Sequence, residues 1–291
     1  MRLLLVKYGK RRITRPCAMT EVPAHFGLPA LTTSPPYSLH TEYAARRRNI
    51  SPVILQQFPI LTAAHRGVPL LWINDDWALA FAEWLILLIS PNEPPSVVEL
   101  HPPFRQECSD QMSFLARYGV FAGRFLARFP STKLVLENRS GSLRNMPFLI
   151  STPEECACLA RELPETLRFC VDFPQFFTAV CQTGYPSVEE IDAIFEHVHA
   201  FRDKVFSVHL WGRKNGYAHM GDLRSLFQEN ADIMKHFLRC LDDMFDGREL
   251  YLVPEVNSNN NDLEALLSQI EDAGIEICSD QQIHGTECCR P

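Results

Sequence analysis

What this 291-residue chain lacks narrows it first. It carries ten cysteines, at 17, 108, 156, 158, 170, 181, 240, 278, 288 and 289, yet none form the CxxC pairs of a four-cysteine zinc site. No apolar run approaches the roughly 18 residues that a membrane span needs. The closest, Trp77 to Ile89, contains Glu83 and is followed by Pro91, and it reads as a buried or interface helix. The opening run Leu3–Val6 is too short for a signal core. The scattered cysteines therefore read as reduced core thiols of a cytoplasmic protein, with Cys288 and Cys289 exposed in a polar tail. An excess of positive charge is also missing: 28 Lys and Arg against 35 Asp and Glu give a net charge of -7. Long-range attraction to nucleic acid or to an anionic membrane is not expected from that balance.

What is present is ordinary in amount and informative in order. An apolar fraction of 46% and a charged fraction of 22% suit a soluble globular enzyme. Residues 2–8 read as a strand. Residues 9–36 are irregular, with room for at most one short strand, near Ile13 or 28–31. Tyr37–His40 is a short strand, and 51–66 and 75–90 read as helices, the second capped from Asn74, Asp75 or Asp76. Leu70–Ile73 fits a strand or a bend equally.

From residue 96 a regular rhythm sets in. Apolar strands end at His101, Glu137, Asp172, His209 and Glu255, and helices are expected over 109–128, 152–163, 187–201, 222–244 and 261–273. A last short strand is expected at 275–278. The first four strand ends are 36, 35 and 37 residues apart, the span of one strand and its crossover helix. Alternation of this kind predicts βα units and a parallel sheet. The expected fold is an α/β (β/α)8 TIM barrel with an irregular N-terminal region, a single domain over 1–278 followed by a flexible tail over 279–291.

A closed barrel brings all strand C-termini to one face, where such enzymes place their chemistry. Glu137, Asp172, His209, Glu255 and His101 then form an oxygen and nitrogen donor set without sulfur. It suits zinc or manganese, with magnesium or cobalt as substitutes. Carboxylates crowded at one barrel mouth repel unless a cation lies among them. Arg139, Arg144, Arg213 and Lys214 lie in the loops beyond Glu137 and His209, where they could clamp an anion. Arg46-Arg47-Arg48 reads as a solvated face, and Trp211 and Tyr217 as loop packing.

The motifs at these strand ends resemble the xylose isomerase-like superfamily, which holds the sugar isomerases and epimerases and endonuclease IV. Val98-Glu99-Leu100-His101-Pro102 looks like its fourth-strand histidine segment. Leu136-Glu137-Asn138 with Gly141 is similar to the "LEN..G" pattern of endonuclease IV. Val171-Asp172 with Gly184-Tyr185, Val208-His209-Leu210 and Pro254-Glu255 resemble the segments that follow. The likeness spans residues 96–257. Two departures stand out: Gln175 replaces a histidine, and His219-Met220-Gly221-Asp222 stands where an Asp-Arg-His segment is usual.

The resemblance implies a divalent-metal enzyme in which Glu137 and Glu255 move a proton beside a metal-polarised carbonyl. The substrate would be a small sugar or sugar phosphate, with Arg139, Arg213, His219, Gln175 and His40 as binding groups and no membrane partner. The alternative it implies is an endonuclease IV-like phosphodiesterase acting on nucleic acid, with Glu137 bridging two ions and His101 and His40 completing the first. A barrel that binds a ligand without catalysis is the third reading. Homo-oligomer formation is compatible with all three.

Overall fold

A computed structural model describes residues 1–9, 13–28, 30–41, 49–65, 68–90, 92–140, 147–181 and 183–279. Arg46–Arg48, Arg144, Gly141, Cys288, Cys289 and nearly all of the expected tail lie outside these residues. The chain divides into two compact units. One holds 1–21, 152–160 and the chain from 169 onward; the other holds 22–151 and 161–168.

In the second unit, β3 (Tyr37–Thr41), β4 (Val97–Leu100) and β5 (Lys133–Glu137) pair in parallel, with His40 beside Glu99 and Glu99 beside Val135. Most of their residues are apolar and buried, as parallel strands covered on both faces require. Three helices accompany them: α1 (Pro52–Gln57), α2 (Asp75–Ile89) and α3 (Gln111–Arg128). The Asn74 side chain accepts a hydrogen bond from the Trp77 amide and starts α2. The apolar run from Trp77 is a helix buried largely against α3. Trp72 sits in an aromatic cluster with Trp77, Phe81, Phe114 and Phe121, at centroid distances of 5.2–5.7 Å. The segment 70–73 is a turn, with Trp72 at φ 58°. The helix expected over 51–66 is shorter, because Pro59 cuts it and a 3-10 turn follows.

In the first unit, β1 (Arg2–Lys7) pairs in parallel with β8 (Glu249–Pro254), and β8 with β7 (Val205–Leu210). β6 (Leu167–Asp172) joins β7 through its residues from Phe169 onward. β2 is Met19–Ala24, not near Ile13 or 28–31 as the sequence suggested. Glu21 and Pro23 hide it, since both residue types are depleted in strands. β9 (Glu276–Cys278) pairs with the start of β1, and β2 pairs with its end.

The strand order of the whole sheet is β8–β7–β6–β5–β4–β3–β2–β1, with β8 also paired to β1. This is the closed parallel sheet of a (β/α)8 TIM barrel. Among the described residues no helix is long and apolar enough to cross a membrane.

The first unit's helices are α4 (Pro153–Ala160), α5 (Phe173–Val180), α6 (Val188–His199), α7 (Ala231–Met244) and α8 (Asn260–Asp272). α5 was not foreseen, since its eight residues are mostly apolar and too few to show a helical period. The helix expected over 222–244 is a 3-10 turn at Leu223–Phe227 followed by α7. Gln228 and Glu229 break it with positive φ. Phe237 of α7 meets Phe173, Phe177, Phe195 and Phe227 at 5.4–5.8 Å and fixes α5, α6 and α7 on one another.

A capping box starts α6. Ser187 Oγ accepts from the Glu190 amide at 3.2 Å, and Glu190 Oε2 accepts from the Ser187 amide at 2.8 Å. Ser187→Ala should lower unfolding free energy by about 1 kcal/mol. Urea denaturation measures it, and an unchanged midpoint would contradict the capping role.

Candidate functional site

In the second unit the ends of β3, β4 and β5 bring four donor side chains together. His40 Nε2 lies 3.1 Å from His101 Nε2 and 3.1 Å from Glu99 Oε1. His101 Nε2 lies 2.8 Å from Glu137 Oε2, and His40 Nε2 lies 3.5 Å from the same oxygen. All four residues lie in one group whose ligand atoms are within 4.8 Å of one another. Glu137 is fully buried, and Glu99 and His101 nearly so.

Local structure explains the convergence. Residues i and i+2 of a strand share a face, so Glu99 and His101 point the same way. The parallel register sets His40 level with Glu99. Thr41 Oγ1 donates to the Glu99 carbonyl at 2.6 Å, and Trp72 Nε1 donates to the His101 carbonyl at 2.7 Å. The left-handed turn at Trp72 aims that indole. Arg139 Nη1 donates to Glu137 Oε1 at 2.7 Å, so Oε1 faces the guanidinium and Oε2 the imidazoles.

Burial by itself would raise the Glu137 carboxyl, but Arg139, His101 and His40 outweigh it and hold it well below the usual carboxylate range. Burial lowers the His101 pKa in spite of Glu137. The result is an ionised carboxylate facing an imidazole that favours its neutral form.

This donor set fits a divalent ion. Around a tetrahedral zinc with N and O bonds of about 2.0–2.2 Å, neighbouring ligands stand roughly 3.3–3.5 Å apart. The observed separations of 2.8–3.5 Å bracket that spacing.

The first unit carries its own group. Asp172 ends β6 and caps α5; its Oδ1 accepts from the Gln175 amide and its Oδ2 from Trp211 Nε1, both at 2.9 Å. His209 ends β7 and lies fully buried, with Nδ1 3.6 Å from Glu255 Oε1. His219 Nδ1 lies 3.2 Å from Glu255 Oε2, and its ring packs on Trp211 at 4.5 Å. Burial would raise the Glu255 carboxyl; the charges of His209 and His219 overcome this and hold it well below its ordinary range. Tyr8 closes this side: its hydroxyl accepts from Asn257 Nδ2 at 3.3 Å. Burial, then the charges of Glu255 and Glu21, push its pKa up and keep it neutral.

The loop after β7 presents His219. Its φ is 59°, the Asn257 amide donates to its carbonyl at 2.7 Å, and the Met220 amide donates to the Gly212 carbonyl at 3.1 Å. Gly212 is required here, since a Cβ would stand 2.1 Å from the Asp222 carbonyl oxygen.

No protein-family model matches the chain, and no curated protein matches it. Solved structures do match by shape. A D-tagatose 3-epimerase-like protein aligns over 94% of this chain and 98% of its own, at 12% identity and a TM-score of 0.50. A xylose isomerase domain protein from Planctomyces limnophilus covers 93% of this chain and 95% of its own, at 11% identity and a TM-score of 0.45. D-psicose 3-epimerase from Clostridium cellulolyticum H10, with D-tagatose, has the same coverage at 9% identity and a TM-score of 0.45. The barrel fold is shared with the D-tagatose 3-epimerase-like protein. At these identities the likeness is one of fold.

Within this barrel, the residues expected to bind metal or substrate have definite places. His101 and Glu137 meet as anticipated. His40, expected to contact substrate, stands in their donor group. Arg139 faces Glu137. Gln175 is buried in the first turn of α5, with its backbone amide donating to Asp172. Arg213 donates to the Gly184 carbonyl at 2.9 Å and to Thr178 Oγ1, and its guanidinium lies over Tyr185 and Trp211.

Glu99 was not singled out, although its two-residue spacing from His101 could have revealed it. Trp72, Tyr8 and the indole on Asp172 left no local signal. Trp72→Phe keeps an aromatic ring but strands the buried His101 carbonyl. It should destabilise the protein by about 1–3 kcal/mol in denaturant titration, and a loss under 0.5 kcal/mol, roughly a neutral surface change, would deny the bond its positioning role.

Proposed function

We propose that the chain is a divalent-metal-dependent isomerase or epimerase acting on a small sugar or sugar phosphate. The observation that carries this is the buried His40–Glu99–His101–Glu137 donor group, because an ionised carboxylate and converging imidazole nitrogens suit a cation. Asp172, His209 and Glu255 are proposed as further ligands from their strand-end positions, with zinc or manganese as the ion. When bound, the ion supplies polarisation of a carbonyl and its neighbouring hydroxyl.

The chain's own residues do the rest. Glu137 and Glu255 are the proton-transfer pair. Each is held ionised, and an ionised carboxylate can take the proton from the carbon beside the carbonyl. Glu255 Oε2, with His219 at 3.2 Å, is the proton-accepting oxygen, and Glu137 Oε2 faces His101. Tyr8, neutral and half-buried, bounds the Glu255 side. His219, on its left-handed loop residue, is placed to bind a substrate hydroxyl. Arg139 and Arg213 act by holding Glu137 and the loop after β7, and the backbone amide of Gln175 donates to Asp172, the cap of α5.

One observation favours the endonuclease IV-like alternative. His40 joins His101 at Glu137 Oε2, which would complete a first ion of a two-ion site bridged by Glu137. Elemental analysis of the purified full chain, combined with isomerisation and phosphodiester assays, separates the readings. With metal counted in a Cys240→Ser protein, so that only strand-end ions contribute, one ion per chain and isomerisation of a ketose support the first; two or three zinc ions and phosphodiester hydrolysis support the second. Bound metal with neither activity would leave a ligand-binding barrel.

Glu255→Gln should lower kcat by about 10²–10⁴-fold. Glu137→Gln with normal metal content and full activity would sink both catalytic readings.

A further inference from the structure

The outer helices of the first unit carry a donor cluster that the barrel chemistry does not use. His236 and Cys240 are four residues apart on α7 and so share a face. Asp192 of α6 meets them. His236 Nε2 lies 2.7 Å from Asp192 Oδ1, Cys240 Sγ lies 3.5 Å from His236 Nε2, and Cys240 Sγ lies 3.8 Å from Asp192 Oδ1. The three form a group of the metal-ligand kind.

The geometry is not that of a thiol–imidazole–carboxylate relay. A relay needs the thiol and the carboxylate on different ring nitrogens, so that one orients the imidazole while the other exchanges a proton with it. Here both face Nε2, and a single N–H cannot serve both. A cation placed among all three does serve them. Around a tetrahedral zinc, with bonds of about 2.3 Å to sulfur and 2.0–2.2 Å to nitrogen and oxygen, the ligands stand roughly 3.3–3.6 Å apart. The sulfur distances already match closely, and the N···O pair opens by about 0.6–0.8 Å.

The backbone under the cluster is fixed. Phe195 of α6 packs on Phe237 of α7, next to His236, at 5.8 Å. Access is open, because the Asp192 side chain is 57% exposed and that of His236 25%.

We propose that Asp192, His236 and Cys240 form a zinc site on the outside of the barrel, with water as fourth ligand, that ties α6 to α7. The thiolate distinguishes it from the strand-end donors, which are nitrogen and oxygen only. Sulfur selects zinc or cobalt over magnesium, manganese or calcium. Binding releases the Cys240 thiol proton to solvent as the S–metal bond forms.

Cobalt(II) is the probe, because only a sulfur-bound ion gives a thiolate-to-cobalt charge-transfer band in the near ultraviolet. The full-length protein, stripped by chelator, should develop this band with one sulfur-bound cobalt per chain, and added zinc should erase it. C240S should abolish the band while leaving far-ultraviolet circular dichroism unchanged. Removing the ligand in H236Q should weaken cobalt binding by more than the 10–100-fold typical of outer-shell partners. No band in the wild-type protein, or an undiminished band in C240S or H236Q, would overturn the proposal. Because the readout needs sulfur, it stands or falls separately from the strand-end metal.

Discussion

Burying ionised carboxylates at strand ends is the constraint on which the rest of this molecule depends. Glu137 and Glu255 lie out of contact with water, and a carboxylate in that position must be neutralised or matched by partners. In both cases histidines supply the match, and Arg139 adds a full positive charge at Glu137. The carboxylates stay ionised at the strand ends. The apolar body of the barrel serves this arrangement. Its continuous hydrophobic strands exclude water, and their parallel register sets His40, Glu99 and His101 side by side.

The two units hold their acids differently. Asp172 has both oxygens committed, to a helix amide and to an indole. Neither of these two donors carries charge, so these bonds serve to orient the carboxylate. Glu137 is divided: Oε1 meets a guanidinium and Oε2 meets imidazoles. The first contact fixes the side chain and the second leaves a lone pair among nitrogen donors. Two acids of similar burial thus acquire different chemistry from their neighbours alone.

The barrel was readable in the sequence from residue 96 onward because strands buried on both faces are unbroken apolar runs, each ending on a polar residue at a constant spacing. That spacing also identified His101 and Glu137 as neighbours. The earlier chain resisted reading for a physical reason. β2 contains a buried glutamate and a proline, so neither hydrophobicity nor propensity marks it. α5 is only eight residues long and mostly apolar, too short a run to tell a buried helix from a strand by its period. The break before α7 rests on Gln228 and Glu229 in left-handed conformations that other residue types more often adopt. The contacts that aim the site, Trp72 on the His101 carbonyl and Trp211 on Asp172, join residues 29 and 39 positions apart. No local pattern encodes them.

The fate of the arginines bears on substrate class. A phosphodiester or sugar phosphate needs positive charge to meet its oxygens. Among the described residues, the two arginines expected to supply it are already engaged within the protein. Arg139 is paired with Glu137, and Arg213 is tied to Thr178 and Gly184 and laid over two aromatic rings. Releasing Arg139 would uncover a buried carboxylate, and releasing Arg213 would loosen the loop that presents His219. An anionic substrate that used either of these arginines would therefore have to displace internal partners of the site itself. A neutral polyol asks for no such exchange, because hydroxyls can bond to carboxylates and imidazoles in place. The net charge of -7 adds to that cost, because it disfavours the approach of any anion over a distance, whereas the donor group that His40 completes places no charge requirement on a hydroxyl.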